Sequence, residues 1–295
     1  MLTVAKEIVK IIPDKQRERL AKHLSKKNDF DSIEYHYGLA KVDSRYAIEY
    51  NLVYWMCFLS LLASMFLWRK IFTELTENEI AGTLTACIFA LIFPIFETVG
   101  GYFYDFGELL FFTLATFLAL RGSWIALIII APLAEYNKES FLFFVLTLFP
   151  LIAFKIGKKK AAFSIIFAAF LSGLVYLYVK NLYAGNAVGM TEFHLWSHIE
   201  DLSRGWLGLE FNYGVMFGAG MFLPHIIFVA WIVKNSWGQL PEHWKNHIKF
   251  AATINVPLYI LFCATGELRN LSMLYIGFIA MISLYIKNLL VEGSY

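Results

Sequence analysis

The sequence predicts an all-α fold: a polytopic transmembrane helix bundle of about eight or nine membrane segments behind an amphipathic, interfacial N-terminal region. Three observations predict it. Hydrophobic residues make up 59% of the 295 positions, with 18% aromatic and a mean hydropathy of +0.58, too apolar for a chain with a water-soluble surface. Beyond residue 50 the apolar residues gather into successive runs of roughly membrane-spanning length, separated by short polar breaks. No Pro/Gly/Ser-rich linker, low-complexity tract or internal repeat divides those runs. Two regions follow, a polar one over 1–50 and a helical membrane domain over 51–295.

Residues 1–50 lack the apolar core of a cleavable signal peptide, so targeting falls to the first span. Leu2, Ala5, Ile8 and Ile12 fall on one helical face, with Lys6, Glu7 and Lys10 elsewhere. Pro13-Asp14 then restarts an amphipathic stretch through Leu20 and Leu24. The pair reads as interfacial helices, or else as a soluble cap packed on the bundle. Apolar segments follow at 52–68, 82–99, 106–120, 123–134, 141–154, 161–179, 214–233, 250–265 and 271–286. Several are shorter than the roughly 20 residues of a simple span, so some must tilt, break or re-enter.

Lys155 and Lys158 to Lys160 form the densest basic loop of this domain, and the positive-inside rule assigns it to the cytoplasm. Counting spans from there puts Arg69-Lys70 and Arg121 on the same side. It puts Asp105, residues 135–140, the 180–213 loop and residues 266–270 on the other. The same count conflicts with the N-terminal fifty, whose ten Lys/Arg and eight Asp/Glu favour the cytoplasm. Either 52–68 is a re-entrant or interfacial hairpin, the option the rule favours, or the N-terminal segment is translocated. The formal charge of +2 is too small to imply a nucleic-acid partner, and none is expected; Cys57, Cys87 and Cys263 sit inside apolar runs as small hydrophobes.

Three polar clusters end apolar stretches on the shared outer side: Tyr104-Asp105-Phe-Gly-Glu108, Glu135-Tyr-Asn137-Lys138-Glu139-Ser140 and Gly-Glu267-Leu-Arg269-Asn. An ionisable side chain costs roughly 2.5 to 3.5 kcal/mol at the centre of a bilayer, so three such clusters point to a common site. Asp105 and Glu108 share a face of any helix that starts near Tyr104, after a turn at Gly100-Gly101; Asp105 also suits a helix N-cap. Glu97 lies deeper in its run and needs a partner. Glu135 and Glu139, at i and i+4, could hold a divalent cation or form a general base, or sit in a solvated turn. Arg269 is shaped to grip a phosphate, or to pair with one of the acids.

The 180–213 loop carries Glu192, His194, Trp196, His198, Glu200, Asp201, Arg204 and Trp206. His194/His198 and His243/His247 both have i, i+4 ligand spacing, but no zinc signature surrounds either pair and no metal ligand is assigned. Aromatic residues near span ends suit interfacial anchoring, and together with acids and histidine they also suit stacking on a sugar ring.

In order, Gly-Gly-Tyr-Phe-Tyr-Asp (100–105), Glu-Tyr-Asn-Lys-Glu-Ser (135–140) and Gly-Glu-Leu-Arg (266–269) resemble motifs of bacterial membrane proteins associated with envelope polysaccharides. These in turn look like the GT-C class of glycosyltransferases. Tyr104, Asp105, Asn137, Glu139, Glu267 and Arg269 match that pattern; Lys138 stands where it has arginine and Ser140 where it has threonine. Asp105 also comes later in the chain than the first-loop acid typical of GT-C enzymes.

The resemblance implies glycosyl transfer from a lipid-linked polyprenyl-phosphate sugar at the outer face of a bacterial inner membrane. Asp105, Glu139 and Glu135 would be catalytic, with Arg269, Lys138, Asn137, Tyr104, Glu267 and Glu108 binding substrate. The cofactor is unassigned, a divalent cation being one option; the partners are membrane lipid and the lipid-linked donor. A transporter or flippase of an anionic lipid or glycan, or a non-catalytic membrane scaffold, would use the same polar residues. Symmetric, interrupted repeats of the transporter kind are not seen.

Overall fold

The computed structural model describes residues 1–27, 46–96, 103–184, 193–204, 209–212, 215–218, 223–264 and 267–292. Glu97, Gly100-Gly101, Glu192, Trp206 and Gly266 lie outside the described residues, as do the side chains of Asp201 and Arg204. The chain divides into two compact units, 1–60 and 61–295.

In the first unit, α1 (Leu2–Lys10) and α2 (Asp14–Lys27) flank Pro13, and α3 (Ala47–Thr76) begins. A small core joins Val9 of α1, Ala21 of α2 and Ile48 of α3, with Ile12, Leu24 and Leu52 packed against it; Ala5 is also buried. The inward face of α1 is therefore Ala5, Val9 and Ile12. Ile8, expected on that face, points outward, and so does Leu20 on α2. Helix α3 runs unbroken for 30 residues and holds neither Gly nor Pro, so nothing interrupts its ladder. The re-entrant hairpin expected over 52–68 is thereby overturned.

The second unit takes up α3 from Leu61 and continues through α4 (Glu79–Phe96), α5 (Phe103–Arg121), α6 (Trp124–Asn137), α7 (Phe141–Thr147), α8 (Phe149–Ile156) and α9 (Lys158–Leu182). It then adds α10 (Leu195–Arg204), strands β1 (Leu209–Asn212) and β2 (Val215–Gly218), α11 (Leu223–Ser236), α12 (Glu242–Phe262) and α13 (Ser272–Glu292). Two 3₁₀ turns, Trp237–Gln239 and Leu268–Leu271, precede the last two helices. The expected 141–154 helix is split at Leu148: Pro150 lies in the first turn of α8, and its missing N–H and ring forbid continuation from α7. The expected segment at 214–233 likewise starts as strand, β1 and β2 pairing antiparallel with Leu209 opposite Gly218.

Among the described residues four helical stretches are long and apolar enough to cross a membrane: Ala47–Thr76, Phe103–Arg121, Lys158–Leu182 and Leu268–Glu292. The chain is thus a helical membrane protein; among the described residues helix length and hydropathy support four crossings and do not by themselves bear out eight or nine. The others are short, as at α6, split, as at α7 and α8, or charged at one end, as where α12 opens with Glu242, Lys245 and Lys249.

Packing brings the basic residues to one end of this unit. Arg121 pairs with Glu74 and Arg69 lies near Glu79, while Lys70 and Arg121 both stand over the Phe117 ring. Lys160 covers Trp124, and the side chains of Lys155 and Ile156 crowd Gly122. Helix α5 is 19 residues long, so its first turn lies about 28 Å from this basic end. Between the two ends lies an aromatic core in which Phe112 of α5 stacks on Phe144 of α7 with centroids 3.8 Å apart. Helices α12 and α13 meet at Gly277, where an added Cβ would stand 2.5 Å from Ile248 Cγ1.

That contact makes Gly277→Ala an overpacking change with an expected cost of about 1–3 kcal/mol, read as a lower midpoint of thermal unfolding in detergent. Ile248→Ala in the same chain should relieve it, so the pair must cost less than the sum of the single changes.

A buried charge network at the helix ends

The end of the unit opposite the basic residues is built from three turns of backbone. Helix α5 starts at Phe103, which places Asp105 and Glu108 on one face of its first turns rather than leaving Asp105 outside as a cap. Both are buried, each 3% exposed. Their charges suit a helix N-terminus, where the unpaired N–H groups point.

Helix α6 ends beside that turn, running antiparallel to α5. Gly107 permits the approach, since a Cβ there would lie 2.5 Å from Asn137 Oδ1. Asn137 Nδ2 donates to the Tyr104 carbonyl at 2.9 Å. Lys138 follows in an extended conformation, φ −157° and ψ 131°, and its side chain turns back over α5. Its ammonium donates to Asp105 Oδ1 at 2.8 Å and to Glu108 Oε2 at 2.7 Å. Ser140 Oγ donates to the other oxygen of Glu108, and Lys138 Nζ also lies 5.5 Å from the centre of the Tyr104 ring. Burial opposes the charge on Lys138, but Glu108 and Asp105 outweigh it and hold its pKa above the usual lysine range.

The 3₁₀ turn before α13 supplies the third side. Arg269, 7% exposed, donates through Nη1 to Asp105 Oδ2 at 3.3 Å and through Nη2 to Glu267 Oε1 at 3.2 Å. Asn270 Nδ2 donates to Glu267 Oε2, and Asn255, buried in the middle of α12, donates to the Asn270 carbonyl at 2.8 Å. Tyr275 OH holds the turn from below through the Leu268 carbonyl. Asp105, Glu108, Lys138, Glu267 and Arg269, separated by up to 164 positions, therefore form one network with Tyr104 and Asn137 at its margin.

Glu135 and Glu139 stand apart from it. Helix α6 stops at Asn137, so their i, i+4 spacing is not that of one continuous helix, although the Glu139 charge still acts on Glu135. Glu135 is buried and accepts the Leu142 N–H at 2.6 Å, satisfying the first turn of α7; Glu139 is exposed.

Taken as ionised, the network holds three carboxylates against two cations, a balance of −1. A cavity of about 10 Å³ adjoins it, lined by Asp105, Glu108 and Arg269 and by Phe93, Phe112 and Tyr275. That is room for one water and not for a sugar ring. The more open edge consists of Lys138, with a side chain 15% exposed, and Glu267, 24% exposed.

Among the described residues no three His, Cys, Asp or Glu side chains gather as a metal site. A divalent cation between Asp105 and Glu108 would have to displace Lys138. The histidines have other partners: His243 stacks on Phe154, His247 Nδ1 bonds the Thr147 carbonyl at the α7–α8 break, and His198 Nε2 lies 2.9 Å from the Cys263 carbonyl. That last bond sets α10 beside the third cluster.

Asn255, Asn270, Ser140 and Tyr275 support the site and were not assigned to it from sequence. Ser140 and Asn270 lie inside the polar clusters without a role assigned there; for Asn255 the signal is a lone Asn inside the 250–265 apolar run, because a buried amide needs a partner. Compared with known protein families, curated proteins and solved structures, the chain matches none.

Replacing Lys138 by Met would leave Asp105 and Glu108 buried side by side. The expected loss is about 3–5 kcal/mol of stability, seen as a lower unfolding midpoint of the purified protein. Adding Glu108→Gln should restore much of it. An unchanged midpoint in the single variant would show that the ammonium does not hold the two helix ends.

Proposed function

We propose that this protein transfers a sugar from a polyprenyl-phosphate donor at the non-cytoplasmic face of a bacterial inner membrane, in the assembly of cell-envelope polysaccharide or glycoconjugate. The observation that carries the reading is the buried network of three acids and two cations, built from three helix ends opposite the basic end of the unit. Buried ion pairs add little net stability, so their presence in an apolar protein favours a chemical role. In this reading the shorter and broken helices also cross the bilayer, giving the eight or nine segments that put the network on the outer side.

Asp105 takes the proton from the acceptor hydroxyl through the one water its cavity admits, as the hydroxyl oxygen attacks the anomeric carbon. The bond from that carbon to the lipid phosphate breaks, and the leaving phosphate gains charge. Lys138 and Arg269 are then released in the same step, because a neutral Asp105 holds both less strongly; they turn to the phosphate instead. Glu108 and Glu267 keep the two cations positioned between turnovers. The donor approaches from the Lys138 and Glu267 edge, since the inner cavity admits a water only.

A second reading has its own support. Each cation already lies between two carboxylates, the arrangement of a static pin in a non-catalytic membrane scaffold.

Transfer of radiolabelled sugar from polyprenyl phosphate in proteoliposomes separates the two. Asp105→Asn should lower the rate by about 10² to 10⁴-fold, the range of a lost general base, while Glu139→Gln leaves it near wild type. Equal rates for Asp105→Asn and wild type would remove Asp105 as base. No turnover by a wild-type chain whose unfolding midpoint falls on Asp105→Asn would favour the scaffold.

A further inference from the structure

Helix α1 carries more apolar surface than its own core covers. Val9 and Ile12 pack with Ala21, Leu24, Ile48 and Leu52, and Ala5 is buried. Beside them Val4, Ile8 and Ile11, at i, i+4 and i+7, are 49%, 41% and 82% exposed, and Lys6 and Lys10 occupy the opposite side of the helix. Exposed stripes of this kind mark an interaction surface rather than an ordinary solvated face.

The charge of the same segment indicates what covers it. Residues 1–27 hold eight Lys/Arg against three Asp/Glu, a balance of +5; the whole chain carries +2, so the remaining residues carry −3. Lys15, Arg19 and Lys22, again at i, i+4 and i+7, make an exposed basic stripe along α2. A third feature sets the depth. Tyr46, Tyr50, Tyr54 and Trp55 are all exposed around the start of α3, whose Ile48 and Leu52 pack against α1 and α2. Exposed Tyr and Trp at the end of a membrane-length helix belong at headgroup level, and α1 lies beside them, Val9 packing with Ile48 and the Met1 sulfur standing 3.8 Å from the Cys57 sulfur.

We propose that α1 and α2 bind the surface of an anionic bilayer, Val4, Ile8 and Ile11 entering the boundary between headgroups and acyl chains while Lys15, Arg19 and Lys22 contact lipid phosphates. The contact is independent of sugar transfer and anchors the first sixty residues to the membrane that α3 enters. Its lipid requirement is negative charge, not a particular headgroup.

The test uses the full chain with Cys57, Cys87 and Cys263 replaced by Ser and a spin label at Ile11→Cys or, separately, at Lys10→Cys. Each is placed in nanodiscs of phosphatidylcholine alone or of phosphatidylcholine and phosphatidylglycerol in equal parts. The Ile11 label should be severalfold less accessible to a water-soluble nickel chelate in the anionic discs, and more accessible to oxygen, with the Lys10 label open to the chelate in both. Reversing Lys15, Arg19 and Lys22 to Glu should abolish that shielding, at about fivefold or more per charge in partition between surface and water. Equal access to the chelate in both lipids would overturn the proposal. So would shielding that ignores lipid composition and charge reversal, the result expected if the stripe packs on protein, either another part of this chain or a second copy.

Discussion

The ammonium of Lys138 between Asp105 and Glu108 is the interaction on which the polar end of the membrane unit depends. Without a cation there, two carboxylates three residues apart on one helix face would be buried beside each other in apolar surroundings. Lys138 reaches them because α6 ends at Asn137 and the next residue is extended, and because Gly107 lets the two helix ends approach. The arrangement also agrees with both helix dipoles, the acids lying at the N-terminus of α5 and the cation at the C-terminus of the antiparallel α6.

Arg269 extends the network to a third element, and its position follows from neutral hydrogen bonds more than from charge. Asn255 ties α12 to the turn that carries Arg269, and Tyr275 ties α13 to the same turn. Strain or movement in that turn would therefore reach Asp105 directly. The acids outnumber the cations by one, and each cation can reach a phosphate only by giving up an acid. In the proposed reaction, proton uptake by Asp105 performs that exchange.

Much of the helical pattern was legible from hydropathy, because apolar runs in a membrane chain register directly as helices. Breaks were less legible. The stop at Leu148 could be read from Pro150, yet the apolar run from 141 to 154 masked it, since periodicity carries no signal where every face is apolar. On α1, spacing alone placed Ile8 inside, but Val9 packs with Ala21 and Ile48 and Ala5 is buried, which leaves Ile8 outward. The i, i+4 spacing of Glu135 and Glu139 met a related limit: spacing implies a shared helix face only while the helix continues, and it ends between them.

The sequence by itself determined the class of the protein, the identity of its polar clusters and the residues with charge to contribute, because apolar content and ionisable side chains are properties of composition and position. Only the tertiary structure decided which of those charges meet. Asp105, Lys138 and Arg269 belong to elements far apart in the chain, and their pairing depends on where three helix ends stop and on one glycine-sized gap between two of them. Local spacing holds no record of such distances, so it ranked Glu139 with Asp105, whereas packing left Glu139 in the open and enclosed Asp105 between two cations.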